Sequence, residues 1–122
     1  MNANPTTPFQ QRVYAALRRI PRGRVTTYGL LARHLGCRSA QAVGQALRRN
    51  PFAPEVPCHR VIAADLRIGG FCGARDGAQI RRKLRLLAQE GVTFDATGRL
   101  ADERQIFLFP RSGAEELIFR KD

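Results

Sequence analysis

Pro21, Gly36 and Pro51 cut the first half of the chain into short helical stretches, and this punctuation constrains the fold more than any other feature. "TPFQQRVYAALRRI" sets Phe9, Val13, Ala16, Leu17 and Ile20 on one helical face, with Thr6 or Thr7 as cap and Pro21 as stop. "PRGRVTTY" reads as a turn leading into a short extended stretch, and "TYGLLARHLG" as a second helix ended by Gly36. Ser39 caps a third helix, "AQAVGQALRRN", which Pro51 closes. Two short helices joined by a tight turn, the second carrying small residues and ending in Arg48 and Arg49, form a helix-turn-helix.

The second half is organised around "EVPCHRVIA", where Val56, Val61, Ile62 and Ala63 read as a short, mostly buried strand. "RNPFAPE" is a proline-bounded loop leading to it, and the glycine-rich "ADLRIGGFCGARDG" after it is a loop that brings backbone amides close to a ligand. "AQIRRKLRLLAQEG" reads as an amphipathic helix with Ile80, Leu84, Leu87 and Ala88 inside, its basic residues outside and Gly91 as stop. "VTFDATGRL" reads as a small hairpin or turn. In the tail, "IFLF" is expected to dock on the domain. At 122 residues the chain fits one domain with a small core, and it has no internal repeat.

Residues 1–54 contain nine arginines and no acidic residue, within a net charge of +11. An ordinary solvated surface intersperses its charges, so a one-signed half suits a polyanion. Nucleic acid fits better than membrane, because no basic amphipathic helix carries bulky apolar anchors and no segment approaches a membrane span. The opening "MNANPTTPF" has no apolar run, so a soluble, cytoplasmic, nucleoid-associated protein is expected. Three cysteines cannot all pair, form no CxxC, and with two histidines make no familiar zinc pattern; free thiols and no metal are expected.

Cys58 stands beside His59. A cysteine becomes a good nucleophile when a neighbouring histidine, oriented by a third group, stabilises its thiolate. Adjacent residues of a regular strand point to opposite faces, so either the strand is distorted there or a water joins thiol to ring. The imidazole needs a carboxylate to hold its tautomer, and Glu90, closing the last strong helix, is the best-placed acid. Against this stands the packing alternative, since free cysteine is among the most buried residue types. A thiol beside a nucleic-acid reader suggests chemistry on a flipped base.

"PCHRV", with "YGLLA" and "AVGQALRRNP" upstream and "GGF" and "LLAQEG" downstream, resembles the O6-alkylguanine-DNA alkyltransferase family, also called methylated-DNA–protein-cysteine methyltransferases. Five motifs in the family's order cover about residues 8–100. The resemblance implies an α/β, mostly α, winged-helix-like domain with a helix-turn-helix and an active-site loop. It implies Cys58 as alkyl acceptor, His59 as its base through a water, Glu90 orienting His59, and Asn50 tying the reader helix to the active-site turn. Tyr28 would turn the target phosphate and contact the flipped purine. Backbone near Cys58, Val61 and Cys72 would read the guanine edge, with Arg60 and Phe71 nearby. Ala42 and Gly44, with Ala46, would let the reader helix approach the minor groove beside Gln41, Arg48 and Arg49. No cofactor is implied; the partner would be double-stranded DNA containing O6-alkylguanine, with non-specific DNA beside it, bound by a monomer.

Three departures from the family bear on function. Gln41 stands where an arginine is usual, and Phe71 and Cys72 stand where a tyrosine and a small hydroxyl residue are common. The family's separate N-terminal domain has no counterpart in this sequence, which in length resembles the alkyltransferase-like proteins that bind alkylated DNA without repair; those lack the acceptor cysteine. The expected arrangement is a flexible residue 1–7 segment, a domain over 8–100 and a tail over 101–122. The expected function is stoichiometric dealkylation of O6-alkylguanine, with a lesion-binding protein and a helix-turn-helix transcription regulator as alternatives.

Overall fold

Thr7 opens the first helix with a reciprocal cap: its hydroxyl accepts from the Gln10 amide at 3.0 Å, and Gln10 Oε1 accepts from the Thr7 amide at 3.1 Å. Pro8 at the first helical position loses nothing, because its missing N–H would have no helical partner there. A computed structural model describes residues 7–53, 55–70 and 77–110. In it α1 (Pro8–Leu17) buries Val13, Tyr14, Ala16 and Leu17. A two-residue strand β1 (Thr26–Thr27) runs directly into α2 (Tyr28–His34), whose cap is the Thr27 hydroxyl.

Gly36, at φ +69°, reverses the chain after α2, and the Cys37 amide returns to the Ala32 carbonyl at 2.9 Å. That is the six-to-one bond of a Schellman ending, which needs the left-handed residue. Ser39 then caps α3 (Ala40–Arg48) by accepting from the Ala42 amide at 3.0 Å. Helices α2 and α3 pack on each other and α3 on α1, which is the expected helix-turn-helix. Leu17, Leu31 and Val43, one from each helix, are fully buried in a common core.

One expectation is corrected at "PCHRV". Cys58 and His59 do not lie on a strand; residues Cys58–Arg60 form a single 3-10 turn, and the strand β2 is only Val61–Ile62. Pro57 is the cause. With φ −82° and ψ 71° it sits at the centre of an inverse γ-turn, closed by the Cys58 amide on the Val56 carbonyl at 2.8 Å. β2 pairs in parallel with β1, Thr26 opposite Val61 and Thr27 opposite Ile62. Val61 then faces the helical core, while Ile62 faces a second core with Val25, Leu66, Leu87, Val92 and Leu100.

The last helix, α4 (Ala78–Gln89), corrects a second expectation: Leu84 is exposed, Ala88 is exposed, and Lys83 is completely buried. Its inward face is therefore Ile80, Lys83 and Leu87, one helical turn apart at each step. "VTFDATGRL" forms the expected hairpin, with the Phe94–Leu100 bridge and a turn held by the Asp95 carboxylate on the Thr97 and Arg99 amides. The architecture is mostly helical, with a small parallel sheet and this hairpin as the wing. "IFLF" docks as expected: Val25 pairs with Ile106, and Phe107 and Phe109 pack on the helical core. Among the described residues no helix is long and apolar enough to cross a membrane.

Gly36 and Gly44 make a paired test. A Cβ on either meets open space, but only Gly36 has positive φ. Gly36→Ala should lower stability by about 1 kcal/mol through backbone strain. Gly44→Ala should raise it by about 0.5–1 kcal/mol through helix propensity. Denaturant midpoints at unchanged slope would measure both.

Candidate active site

The 3-10 turn at Cys58–Arg60 places three chemically active side chains in succession against the end of α4. Cys58 is in no disulfide and is 7% exposed, and His59 is 2% exposed. Asn50, just past the end of α3, donates from Nδ2 to the Val56 carbonyl at 2.9 Å and accepts at Oδ1 from the Phe52 amide at 2.9 Å. It therefore bridges the end of α3 to the segment that enters the 3-10 turn.

His59 Nε2 lies 3.0 Å from Glu90 Oε2. Arg60 holds the same carboxylate with two donors, Nε to Oε1 at 2.9 Å and Nη2 to Oε2 at 2.8 Å, and its Nη1 donates to the Ile20 carbonyl at 2.7 Å. Burial by itself raises the Glu90 carboxyl, but the hydrogen bonds and charges of Arg60 and His59 outweigh it and hold the group below its ordinary 4.5. For His59 burial dominates and lowers the ring below its ordinary 6.5; Glu90 opposes that shift, while Arg60 and Lys83 reinforce it. The ring is thus neutral at pH 7. An ionised carboxylate accepts only, so Nε2 carries the proton and Nδ1 presents a lone pair. Nδ1 is buried and has no hydrogen-bond partner among the described residues. The arrangement supplies a base one residue from a thiol.

Tyr28, at the first turn of α2, donates its hydroxyl to the Gly70 carbonyl at 3.2 Å. Its phenol is raised above 10.0 by burial and further by the nearby Cys58. Gly69, at φ +70°, lets the loop lie against that ring; a Cβ there would stand 3.3 Å from Tyr28 Cε2 and 3.2 Å from the Ala63 amide. The Val61 carbonyl, expected to face a base edge, accepts from Lys83 Nζ at 2.7 Å, and its side chain is fully buried.

On α3 the outward positions are Ala40, Gln41, Gln45 and Arg48, followed by exposed Arg49 at its C-cap, with Ala42 and Gly44 half-buried. Ala46 is not among them: it is 2% exposed, and its carbonyl accepts the Tyr14 hydroxyl at 2.8 Å. Arg60, grouped by the sequence with DNA-contacting residues, instead has its guanidinium turned onto Glu90 and Ile20. Phe71 and Cys72 lie outside the described residues. Among the described residues no group of His, Cys, Asp and Glu is arranged to hold a metal ion.

Sequence reasoning missed Lys83. Its ammonium donates to the carbonyls of Val61, Ile68 and Gly70 at 2.7, 2.5 and 2.9 Å. The signal was present in the spacing, since Lys83 lies three residues after Ile80 and four before Leu87, on the buried face.

Fold and site together define a helix-turn-helix domain that carries a buried thiol and imidazole on one turn, against a buried carboxylate at the end of α4. Residues 8–92 match the family model of the 6-O-methylguanine DNA methyltransferase DNA-binding domain, and the chain belongs to that family. A Thermus thermophilus DNA base-flipping protein is 49% identical over 86 residues, covering 70% of this chain and 54% of its own. A Mycobacterium leprae methylated-DNA–protein-cysteine methyltransferase is 47% identical over 85 residues, covering 69% of this chain and 48% of its own. The chain thus spans about half the length of these curated relatives. The Mycobacterium tuberculosis OGT structure in complex with DNA superposes with a TM-score of 0.63 at 45% identity, covering 70% of this chain and 51% of that one. S. pombe Atl1, solved with damaged DNA containing O6-carboxymethylguanine, gives 0.69 at 31% identity, covering 85% of this chain and 98% of that one.

The site has a pH signature. Both histidines are held below 6.5, His34 by burial and by Arg19 and Arg12, so the unfolded chain takes up their protons first. Stability is therefore complete above pH 6.5 and falls as pH drops through the depressed folded values; Glu90 adds a second loss below 4.5. Denaturation midpoints across about pH 2–8, a span that also takes in Glu90 below its ordinary 4.5, should fall in two stages. His59→Gln should shrink the first stage and weaken the second without abolishing it, because Arg60 still holds Glu90 down.

Proposed function

We propose that this chain repairs DNA by moving an alkyl group from O6 of guanine to Cys58, once per molecule. The observation that carries this reading is the neutral His59, with Nε2 held by Glu90 and a buried, unpartnered Nδ1, one residue from a buried thiol. A water between the two relays the thiol proton to Nδ1. The sulfur then attacks the alkyl carbon in line, the carbon–O6 bond breaks, and the departing purine anion takes a proton from water to become guanine while the imidazolium returns its proton to water. Sulfur ends as a thioether, so the protein is consumed and no cofactor enters the balance. Duplex bases are out of reach in the stack, so the target base must be flipped into the site. The exposed edge of α3, with Gln41 and Arg48 outward and half-buried Ala42 and Gly44, suits close approach to the minor groove. The relatives named as cysteine methyltransferases support the same reading.

A second reading is favoured by the likeness to the base-flipping protein and to the lesion-bound Atl1 structure: recognition of the lesion without transfer. Intact mass separates the two. Incubation with O6-methylguanine duplex should place one methyl on the peptide containing Cys58, and Cys58→Ala should abolish transfer while retaining DNA affinity. Tight lesion binding with unchanged mass would establish the second reading instead.

Gln41 is exposed at the start of α3, where it can enter the hole left by a flipped base. Glutamine brings hydrogen bonds without charge, whereas unstacking costs a few kcal/mol that the protein must offset. Gln41→Arg should tighten binding to O6-methylguanine duplex and speed transfer, with a smaller gain on single strands. Equal gains on both substrates would reduce the effect to added charge.

A further inference from the structure

We propose that Lys83 is a positioning residue for the Cys58 site, clamping three backbone carbonyls so that the loop at residues 68–70 is held against Tyr28 and a fixed cation stays within electrostatic reach of His59; the assignment rests on the alkyl-transfer reading above. An ammonium has three N–H donors, and Lys83 Nζ has three carbonyl acceptors, on Val61, Ile68 and Gly70, at 2.5–2.9 Å. The side chain is completely buried, in a helix whose other basic residues are exposed. A buried charge is tolerated where its donors are satisfied, and this one ties together α4, the strand after the active turn, and the glycine loop.

The Gly70 carbonyl is the junction. It accepts from Lys83 Nζ at 2.9 Å and from the Tyr28 hydroxyl at 3.2 Å, so one oxygen sets the loop against both α4 and α2. Val61 follows the active turn directly, and its amide donates to the Cys58 carbonyl. Lys83 thereby fixes the backbone on both sides of the space beside the thiol. Its charge also acts on His59. The charged groups facing that ring are Glu90 at the end of α4, Lys83 within α4 and Arg60 beside it; Tyr28 from α2 and Tyr14 from α1 stand near Cys58. Glu90 favours the imidazolium, and Lys83 with Arg60 opposes it, which keeps Nδ1 available as a base.

Lys83→Met and Lys83→Arg separate clamp from charge. Three measurements serve: the thermal melt, the pH dependence of iodoacetamide labelling read on the Cys58 peptide, and transfer from O6-methylguanine duplex. In Lys83→Met the acid limb of labelling, set by His59, should move to higher pH because the opposing cation is gone, and transfer should fall at least tenfold. Lys83→Arg should keep the wild-type limb yet still slow transfer, since a planar guanidinium cannot aim three donors from one nitrogen. A wild-type limb in Lys83→Met, or wild-type transfer in Lys83→Arg, overturns the proposal. Should Lys83→Met fail to fold, Lys83→Arg decides. If the wild-type protein transfers no alkyl group, the function reading fails, while the labelling limb still tests the cation's effect on His59.

Discussion

The Glu90 carboxylate is the point on which the site depends, because it joins the end of α4 to the 3-10 turn and, through Arg60, to the chain just beyond α1. It receives Arg60 with two donors and His59 with one, and Arg60 also reaches the Ile20 carbonyl beyond α1. The Glu90 side chain is 7% exposed and that of Arg60 16%, so the pair is shielded from water. Such a pair contributes little net stability against an apolar replacement, but removing one partner costs about 3–5 kcal/mol because the other charge is left stranded. What the pair provides is orientation. Arg60 fixes the plane of the carboxylate, the carboxylate fixes the proton on Nε2, and the ring is left with its lone pair on Nδ1.

The positive charge of the first half has a structural use as well as a surface one. With no carboxylate in residues 1–54, several arginines there bond to carbonyls at the ends of elements. Arg12 donates to Leu35 at the end of α2, and Arg22 to Gln89 at the end of α4 at 2.6 Å. Helix C-termini present unsatisfied carbonyls and partial negative charge, so cations are favourable there. Lys83 extends the same device into the interior. Charge counting alone overstates what is available to a polyanion: Arg12 and Arg22 are engaged at seams, whereas Arg33, Arg38, Arg48 and Arg49 are exposed on or beside the helix-turn-helix.

The helices were legible because local chemistry marks their ends. Thr7, Ser39 and Gly36 act where the sequence placed them, and the buried face of α1 follows its apolar spacing. The two strands fall inside the stretches the sequence reads as extended, but their bounds and pairing were not legible, since two residues each is too short for an alternation and the register Thr26 to Val61 joins positions 35 apart. The reading of α4 failed for a different reason. Residues 83 and 84 compete for one helical face, and hydrophobicity chose Leu84, whereas three convergent carbonyls chose Lys83. A sequence shows donors but not where acceptors converge. Arg60 shows the same limit: the resemblance groups it with base-contacting residues, and the carboxylate that its guanidinium faces, 30 positions on, is not visible in the sequence.

The segment after the wing is tied to the sheet by its backbone. Val25 is fully buried, so its amide and carbonyl both need partners. They find them on the tail, the amide on the Gln105 carbonyl at 2.9 Å and the carbonyl on the Phe107 amide at 2.6 Å. Two residues later β1 gives way to α2, which carries Tyr28. Phe109 continues the contact by stacking on His34 of α2, ring centroids 4.3 Å apart and planes within 13°. Residues 105–109 thus satisfy the strand that leads into the helix-turn-helix and cover its first helix. Loss of this segment would strand two buried backbone groups next to the active turn's own partner strand, which makes the docking part of what holds Thr26 opposite Val61.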